Sequence, residues 1–373
     1  MHYRNKSRWL ILMIAFVCFT QSFAQTDSSG TKIKEEVFLI GLGVQHGFIF
    51  AHSEAVQNTK GARPTGVEAM LSWQRTDSAI WNLCNCYPRK GVLFSYYDYD
   101  TKILGKSITA AYFLEPTYKI NNRTFFSFRG AGGISYLTNP FDSIKNPANQ
   151  SYSTTMSVYL LVGVGVWYKL NESWWLNSSA NYQHESNGGM KEPNKGINWP
   201  TAGIAISYQP KAANYFTGIR SSDKFWKNNK IRWDAALFGV ARRTQTESGS
   251  RRKALVGFSA IASKQVGRIN AITAGTEIYR DAKLSYRLKS DSIDASSIKA
   301  GLLAGHEFLL GKFIFSQQLG VYVFDETPYY DRLYHRWGLI YNISNNIGAG
   351  INLKVHKQVA EFADLRFIYR LYY

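Results

Sequence analysis

The sequence has no apolar run long enough to cross a bilayer as a helix. The run at residues 9–19 falls short of the roughly 18 residues that a spanning helix needs, and no later stretch is longer. Charge is also scarce, since only 19% of residues are charged, whereas aromatic residues reach 15%, with 24 Tyr and 10 Trp. This balance is unusual for a soluble domain and typical of membrane β-barrels, whose aromatic girdles meet the lipid headgroups.

Cysteine is nearly absent, with three in the chain. Cys18 lies inside the N-terminal apolar run without the small apolar residues that normally precede a lipidated cysteine, so we expect no lipid anchor. Cys84 and Cys86 share one loop, where their spacing permits only a strained disulfide. No second Cys or His pair nearby completes a zinc site. We therefore expect no metal and no cofactor, and the role of the cysteine pair stays open.

The first 24 residues have the features of a cleaved export signal. Three cations, Arg4, Lys6 and Arg8, precede the apolar run, and a small-residue site follows at residues 22–24. We predict cleavage before Gln25 and export of the whole mature chain.

The chain is strongly basic, and this charge indicates a negative partner. The formal net charge is +18, of which about +15 remains once the signal cations are removed. Nucleic acid is one candidate, but export places the protein beside lipopolysaccharide, whose lipid A phosphates are abundant anions. Basic clusters at Arg242–Arg243 and at residues 251–253 fit that partner, and a generally soluble basic surface is the alternative.

From Val37 onward, segments of about ten residues alternate apolar with small or polar side chains, which is a strand pattern. Long connections at 52–64, 138–153 and 187–199 alternate with tight turns, which places the long ones on the extracellular side. The region 76–90 is an exception, because it is long where a short turn is expected. We predict eight strands in the first half, near 37–51, 65–75, 91–99, 107–119, 124–137, 154–169, 173–186 and 200–208.

A second set of about eight strands follows, and the chain ends on aromatic residues that resemble the assembly signal of outer-membrane barrels. The fold class is therefore all-β, an antiparallel transmembrane β-barrel. We divide the chain into a signal at 1–24, a first barrel at 25–209, a linker at 210–229 and a second barrel-like half at 230–373. The strand count permits two tandem barrels, which we favour, or one larger barrel. The second-half strands are predicted near 230–245, 251–264, 268–279, 297–309, 312–324, 334–343, 347–356 and 361–372.

A candidate catalytic pair lies at the end of the seventh predicted strand. His184 and Ser186 are two residues apart, so their side chains leave the same face of the strand, roughly 6.5 Å apart along it. A neutral imidazole can take the proton of a serine hydroxyl, which is otherwise a poor nucleophile. Asn187 and Asn194 lie in the following loop and offer donors for an oxyanion.

The chain resembles the lipid A 3-O-deacylases (PagL-like proteins, also called acyloxyacyl hydrolases) in the motif His-x-Ser-Asn-Gly-Gly followed by Pro-Asn-x-Gly. The resemblance covers residues 170–208 and extends over the first half, whereas the second half lies outside the family's usual length. It implies an outer-membrane hydrolase that removes an acyl chain from lipid A, with His184 and Ser186 as the catalytic pair. It also implies Asn187 and Asn194 as oxyanion donors.

One position departs from the family pattern. The family's orienting glutamate, 14 residues after the histidine, falls on Asn198. Asparagine can orient an imidazole through its carbonyl oxygen but cannot stabilise an imidazolium by charge. Glu185 points to the opposite strand face and Glu192 lies in the loop, so neither is an obvious replacement. We therefore predict Asn198 as the third member of the site.

Two non-enzymatic alternatives remain. In one, His184 and Ser186 are polar residues of the headgroup region, and the protein is a structural barrel with a degenerate site. In the other, all strands form one porin-like channel, since about sixteen strands leave a water-filled pore and eight do not. Other histidines lack comparable neighbours and are interpreted as girdle or lumen residues: His46, His52, His306, His335 and His356.

Overall fold

The computed structural model describes residues 35–246, 249–357 and 359–372. The predicted export signal at 1–24 lies outside these residues. Within them, no helix is both long and apolar enough to span a membrane.

The first half is an antiparallel barrel. Its elements are β1 (Glu36–Gly47), a 3-10 turn (Glu54–Thr59), β2 (Thr65–Arg75), α1 (Ser78–Cys84), β3 (Arg89–Asp98), β4 (Lys106–Glu115), β5 (Thr117–Lys119), β6 (Thr124–Leu137), β7 (Met156–Lys169), β8 (Trp174–Ser186) and β9 (Ile197–Tyr208). Strands that are neighbours in sequence pair along the sheet, except that β4 and β5 each pair with β6, and β9 pairs back with β1. Eight strands surround the barrel when β4 and β5 are counted as one strand interrupted at Pro116, which has no N–H for the ladder.

The second half is a separate closed barrel of eight strands. Its elements are a 3-10 turn (Phe225–Asn228), β10 (Arg232–Thr246), β11 (Gly249–Gln265), β12 (Asn270–Asp281), α2 (Ala282–Ser290), β13 (Ile298–Leu310), β14 (Phe313–Phe324), β15 (Leu333–Asn342), β16 (Ile347–His356) and β17 (Val359–Tyr372). The prediction of two barrels is thus confirmed. The alternative of one larger, porin-like barrel is wrong, because β9 bonds to β1 and β17 bonds to β10.

The walls have the inverted pattern of a membrane barrel. Alternate side chains of the strands face outward and are mostly apolar, as at Leu42, Val162 and Leu237, which are all more than half exposed. The inward positions carry many polar groups. In the first barrel, Arg129 lies inside with its Nη1 2.9 Å from Glu68 Oε1.

The interior of the second barrel corrects one sequence interpretation. Arg242, expected in a cluster for lipid A phosphates, is buried and forms an ion pair with Asp281 inside the barrel. An outward strand position would have exposed it, whereas an inward one requires a buried partner. The side chain of Arg243 lies outside the described part, and Arg251 and Arg252 remain exposed.

Strand bounds agree with the predictions to within a few residues, except that β1 ends at Gly47 and β9 begins at Ile197. The unusually long connection at 76–90 contains α1, whose N-cap Asp77 accepts hydrogen bonds from the N–H groups of Ala79 and Ile80. A disulfide joins Cys84 to Cys86 just after this helix.

The antiparallel order sorts the connections of the first barrel into two ends. One end, which we call the long-loop end, carries residues 48–64, 99–105, 138–155 and 187–196. The candidate site lies at this end.

Candidate active site

His184 and Ser186 lie on the outer wall of the first barrel, near the end of β8. Side chains of β8 alternate, so Gln183 and Glu185 are fully buried inside the barrel while Tyr182 faces outward and is 41% exposed. His184 and Ser186 share the outward face with Tyr182 and are half-buried by the long-loop end. The predicted pair therefore faces the side from which a membrane lipid would approach.

The three predicted residues form a hydrogen-bonded line. His184 Nε2 lies 3.0 Å from Ser186 Oγ. His184 Nδ1 lies 2.7 Å from the amide oxygen Oδ1 of Asn198. The sheet register produces this contact, because His184 on β8 is directly paired with Asn198 on β9. An N–H at Nδ1 then donates to Asn198 and leaves Nε2 free to accept the serine proton.

Gly196 allows the loop to close against the imidazole. Its φ of +78° is in the left-handed region, and a Cβ at this position would lie 2.7 Å from His184 Cε1. Its N–H donates to Ser151 O at 2.7 Å, which joins the loop at 187–196 to the loop at 138–155. The last residue of the Pro-Asn-x-Gly motif thus has a steric reason to be glycine.

Asn187 and Asn194 hold the loop that follows the serine. Asn194 Oδ1 accepts the backbone N–H of Asn187 at 2.9 Å. The buried side-chain amide of Asn187 donates to Lys191 O at 2.7 Å, and its Oδ1 accepts the N–H of Gly189 at 3.0 Å. Asn187 directly follows Ser186 and Asn194 lies in the same loop, and their predicted oxyanion role remains a prediction.

His52 is part of the site, although it was interpreted from sequence as a girdle or lumen residue. Its Nδ1 lies 2.8 Å from the amide nitrogen Nδ2 of Asn198. His52 follows β1 in an irregular segment, and the side chain is exposed. No motif surrounds it, so the only signal in the sequence was its position in a predicted extracellular loop.

An apolar groove of about 620 Å³ continues down the outer wall from the site. It begins at the pair Tyr182 and Pro200, which lies two residues along the strands from the pair His184 and Asn198. The next pair on the same face is Ala180 and Ala202. Small side chains there leave a depression between larger ones. The groove is lined by His46, Gly47, Phe48, Phe128, Val162, Gly163, Val164, Ala180, Asn181, Tyr182, Pro200, Thr201 and Ala202.

The second barrel approaches the same loop. A Cβ on Gly188 would lie 3.8 Å from Ala363 Cβ. Lys283 of α2 is part-buried on this side, and burial lowers the pKa of its ammonium below the ordinary value, although the charge of Glu192 in the loop acts in the opposite direction. The described residues contain no cluster of three or more His, Cys, Asp or Glu placed to hold a metal ion.

Comparison with known proteins gives a match over most of the chain. Residues 63–209 match the family "Lipid A 3-O-deacylase (PagL)", and residues 231–373 match "Acyloxyacyl hydrolase, C-terminal domain". No curated protein matches.

Solved structures that resemble this chain are outer-membrane barrels at low identity. The outer membrane enzyme PagL is 14% identical, with 44% of this chain and 97% of that chain covered and a TM-score of 0.33. Neisserial surface protein A is 12% identical, covering 47% and 99%, with a TM-score of 0.32. A TodX monoaromatic hydrocarbon channel mutant is 10% identical, covering 91% and 90%, with a TM-score of 0.21.

Proposed function

Because this chain belongs to the PagL family of lipid A 3-O-deacylases and acyloxyacyl hydrolases, we propose that it removes an acyl chain from lipid A by a serine–histidine mechanism in the outer membrane. The observation that carries the proposal is the hydrogen-bonded line of Ser186, His184 and Asn198 on the outer wall, directly above an apolar groove.

In the first step, Ser186 Oγ attacks the carbonyl carbon of an acyl ester while His184 Nε2 takes the hydroxyl proton. The tetrahedral intermediate carries its negative charge on the former carbonyl oxygen, and we assign its stabilisation to the side-chain amides of Asn194 and Asn187. The amide of Asn187 donates to Lys191 and Ser153 in the free protein, so it would have to exchange one of these bonds for one to the oxyanion. Collapse breaks the ester bond, and the sugar alcohol leaves with the proton from His184. Water then releases the fatty acid from Ser186 by the same sequence of proton transfers, which restores the free serine.

Asn198 keeps the imidazole in the required tautomer, because its carbonyl oxygen accepts from His184 Nδ1. As a neutral group it adds no charge to stabilise the imidazolium. We therefore expect slower turnover than a carboxylate would give at this position.

The groove fits the fatty chain of the substrate. Its volume is about 620 Å³, and it is a shallow depression that stays open along the outer wall. Moving an acyl chain from the surrounding lipid into the groove gains little free energy from the hydrophobic effect, because both environments are equally apolar. The groove would therefore select acyl chains by their shape. A chain lying in the groove would bring its ester end up to Ser186, at the depth where tails meet headgroups.

The test is deacylation of purified lipopolysaccharide by the full-length protein, followed by mass spectrometry of lipid A and of the released fatty acid. Ser186→Ala and His184→Ala should each abolish release while the barrel stays folded and heat-modifiable on gels. Ser178→Ala is the matched control, because Ser178 is an exposed outward serine of the same strand. Release by Ser186→Ala at the wild-type rate would refute the proposal.

A structural barrel with a degenerate site is the second candidate, and the uncharged Asn198 is what favours it. It predicts that wild type and Ser186→Ala are equally inactive on lipopolysaccharide.

A further inference from the structure

We propose that His52 is a positioning residue that orients the amide of Asn198, so that a Ser-His-Asn-His chain replaces the Ser-His-acid arrangement. The inference rests on the proposed function. It starts from the contact at 2.8 Å between His52 Nδ1 and Asn198 Nδ2, outside the family motif.

An asparagine at this position needs orienting, whereas a carboxylate does not. Both oxygens of a carboxylate accept, so either can face His184 Nδ1. The amide has one accepting end and one donating end. Turned by 180°, it would present Nδ2 to His184 Nδ1, which would then have to accept. The imidazole proton would move to Nε2, and Ser186 would lose its base.

His52 favours the productive orientation. With Oδ1 of Asn198 facing His184 at 2.7 Å, Nδ2 faces His52 and needs an acceptor there. The unprotonated Nδ1 of a neutral imidazole is such an acceptor. Donors then run in one direction, from the serine hydroxyl through His184 and Asn198 to His52. With the His52 proton on Nε2, the turned amide would place Oδ1 against the lone pair of Nδ1, so that both His52 and His184 would have to change tautomer to accommodate it.

The fold holds His52 at this point through its backbone. The segment after β1 continues beside β9, because Phe48 N donates to Pro200 O at 3.3 Å and Phe50 N donates to Asn198 O at 2.8 Å. The side chain of Gln57 then donates to the carbonyls on either side of His52, at 2.9 Å to Ala51 and 3.4 Å to Ser53. His52 is therefore fixed beside Asn198 although its side chain is exposed.

The first experiment compares His52→Ala, His52→Gln and His52→Lys in full-length protein, with lipopolysaccharide in mixed micelles as the substrate. Loss of one neutral hydrogen bond predicts that kcat of His52→Ala falls about two- to tenfold with little change in KM. Gln offers an accepting oxygen and should recover at least half of the wild-type kcat. Lys offers only donors and should fall further than Ala. His335→Ala, at an exposed histidine of the second barrel, is the matched control.

The second experiment repeats His52→Ala in an Asn198→Asp background. A carboxylate cannot be misoriented, so we expect the effect of His52→Ala on kcat to shrink to within about twofold. An equal loss in both backgrounds would overturn the positioning role. If Asn198→Asp is itself inactive, the first experiment decides alone. The inference then requires that kcat falls in the order His52→Gln, His52→Ala, His52→Lys, and equal kcat for the three variants overturns it.

The two proposals fail differently. Wild-type kcat in His52→Ala beside an inactive Ser186→Ala overturns the role of His52 only. Retained deacylation by Ser186→Ala overturns the proposed function and, with it, the role of His52.

Discussion

Gly196→Ala is expected to reduce turnover by displacing the imidazole without unfolding the barrel. The new methyl group would lie 2.7 Å from His184 Cε1. This is about 0.8 Å short of the roughly 3.5 Å at which two carbons rest. Either the imidazole or the loop has to move by that amount, and Ser186 and Asn198 both contact the same ring.

The size of the effect follows from this displacement. A misplacement of about 1 Å costs about 10²-fold in rate, so we expect kcat to fall between about tenfold and hundredfold. The φ of +78° adds backbone strain of about 1–2 kcal/mol for a residue with a Cβ. This strain falls in the loop, and we expect the barrel itself to keep its heat-modifiable migration.

Gly61→Ala separates the contact from the strain. Gly61 also has a positive φ, of +92°, but a Cβ there would meet nothing within 4 Å. The assay is initial-rate release of fatty acid from lipopolysaccharide for both variants at saturating substrate. The reasoning predicts a loss of kcat in Gly196→Ala and not in Gly61→Ala. Full kcat in Gly196→Ala, or equal losses in the two variants, would refute it.

Three further predictions concern the orienting residue, the groove and the second barrel. Asn198→Ala should lower kcat substantially, and Asn198→Glu should preserve or increase it by restoring a charge beside His184; a fully active Asn198→Ala enzyme would show that another group orients the ring. Ala180→Trp should fill the groove and lower kcat/KM on lipopolysaccharide by about tenfold, whereas kcat/KM on a short-chain soluble ester should stay within about twofold of wild type. Equal losses on both substrates would contradict a role of the groove in binding the acyl chain. A chain that ends after Gln209 and is given an aromatic terminal residue should insert into the membrane alone and keep measurable deacylation. The reason is that the hydrogen bonds among Ser186, His184 and Asn198 lie within the first barrel. An insoluble or inactive product would show that the second barrel is required.

The strand alternation made most of the barrel predictable from sequence. A period of two residues fixes which side chains share a face, so the common face of His184 and Ser186 followed directly from their spacing. The contact of His184 with Asn198 was also predictable, because the orienting glutamate of the resembling family falls on position 198. The sequence favoured two barrels over one, but the strand count alone permitted both, because closure depends on which edge strands pair.

His52 could not be found in this way. It reaches the site through an irregular segment after β1, where no period relates sequence position to direction. Its contact with Asn198 joins residues 146 positions apart. The side chain of Arg242 was wrongly expected on the surface for a related reason, since its buried partner Asp281 lies on another strand.

The most direct test of the central claim is covalent labelling of the nucleophile. Full-length protein in detergent is treated with a long-chain alkyl fluorophosphonate, which reacts with a serine hydroxyl that is activated by an adjacent base. Mass spectrometry of the intact chain and of its peptides locates the adduct. We predict one adduct, on Ser186, formed in step with the loss of deacylation and absent from Ser186→Ala. Loss of deacylation with the adduct on another serine, or full deacylation by a chain labelled on Ser186, would contradict the account.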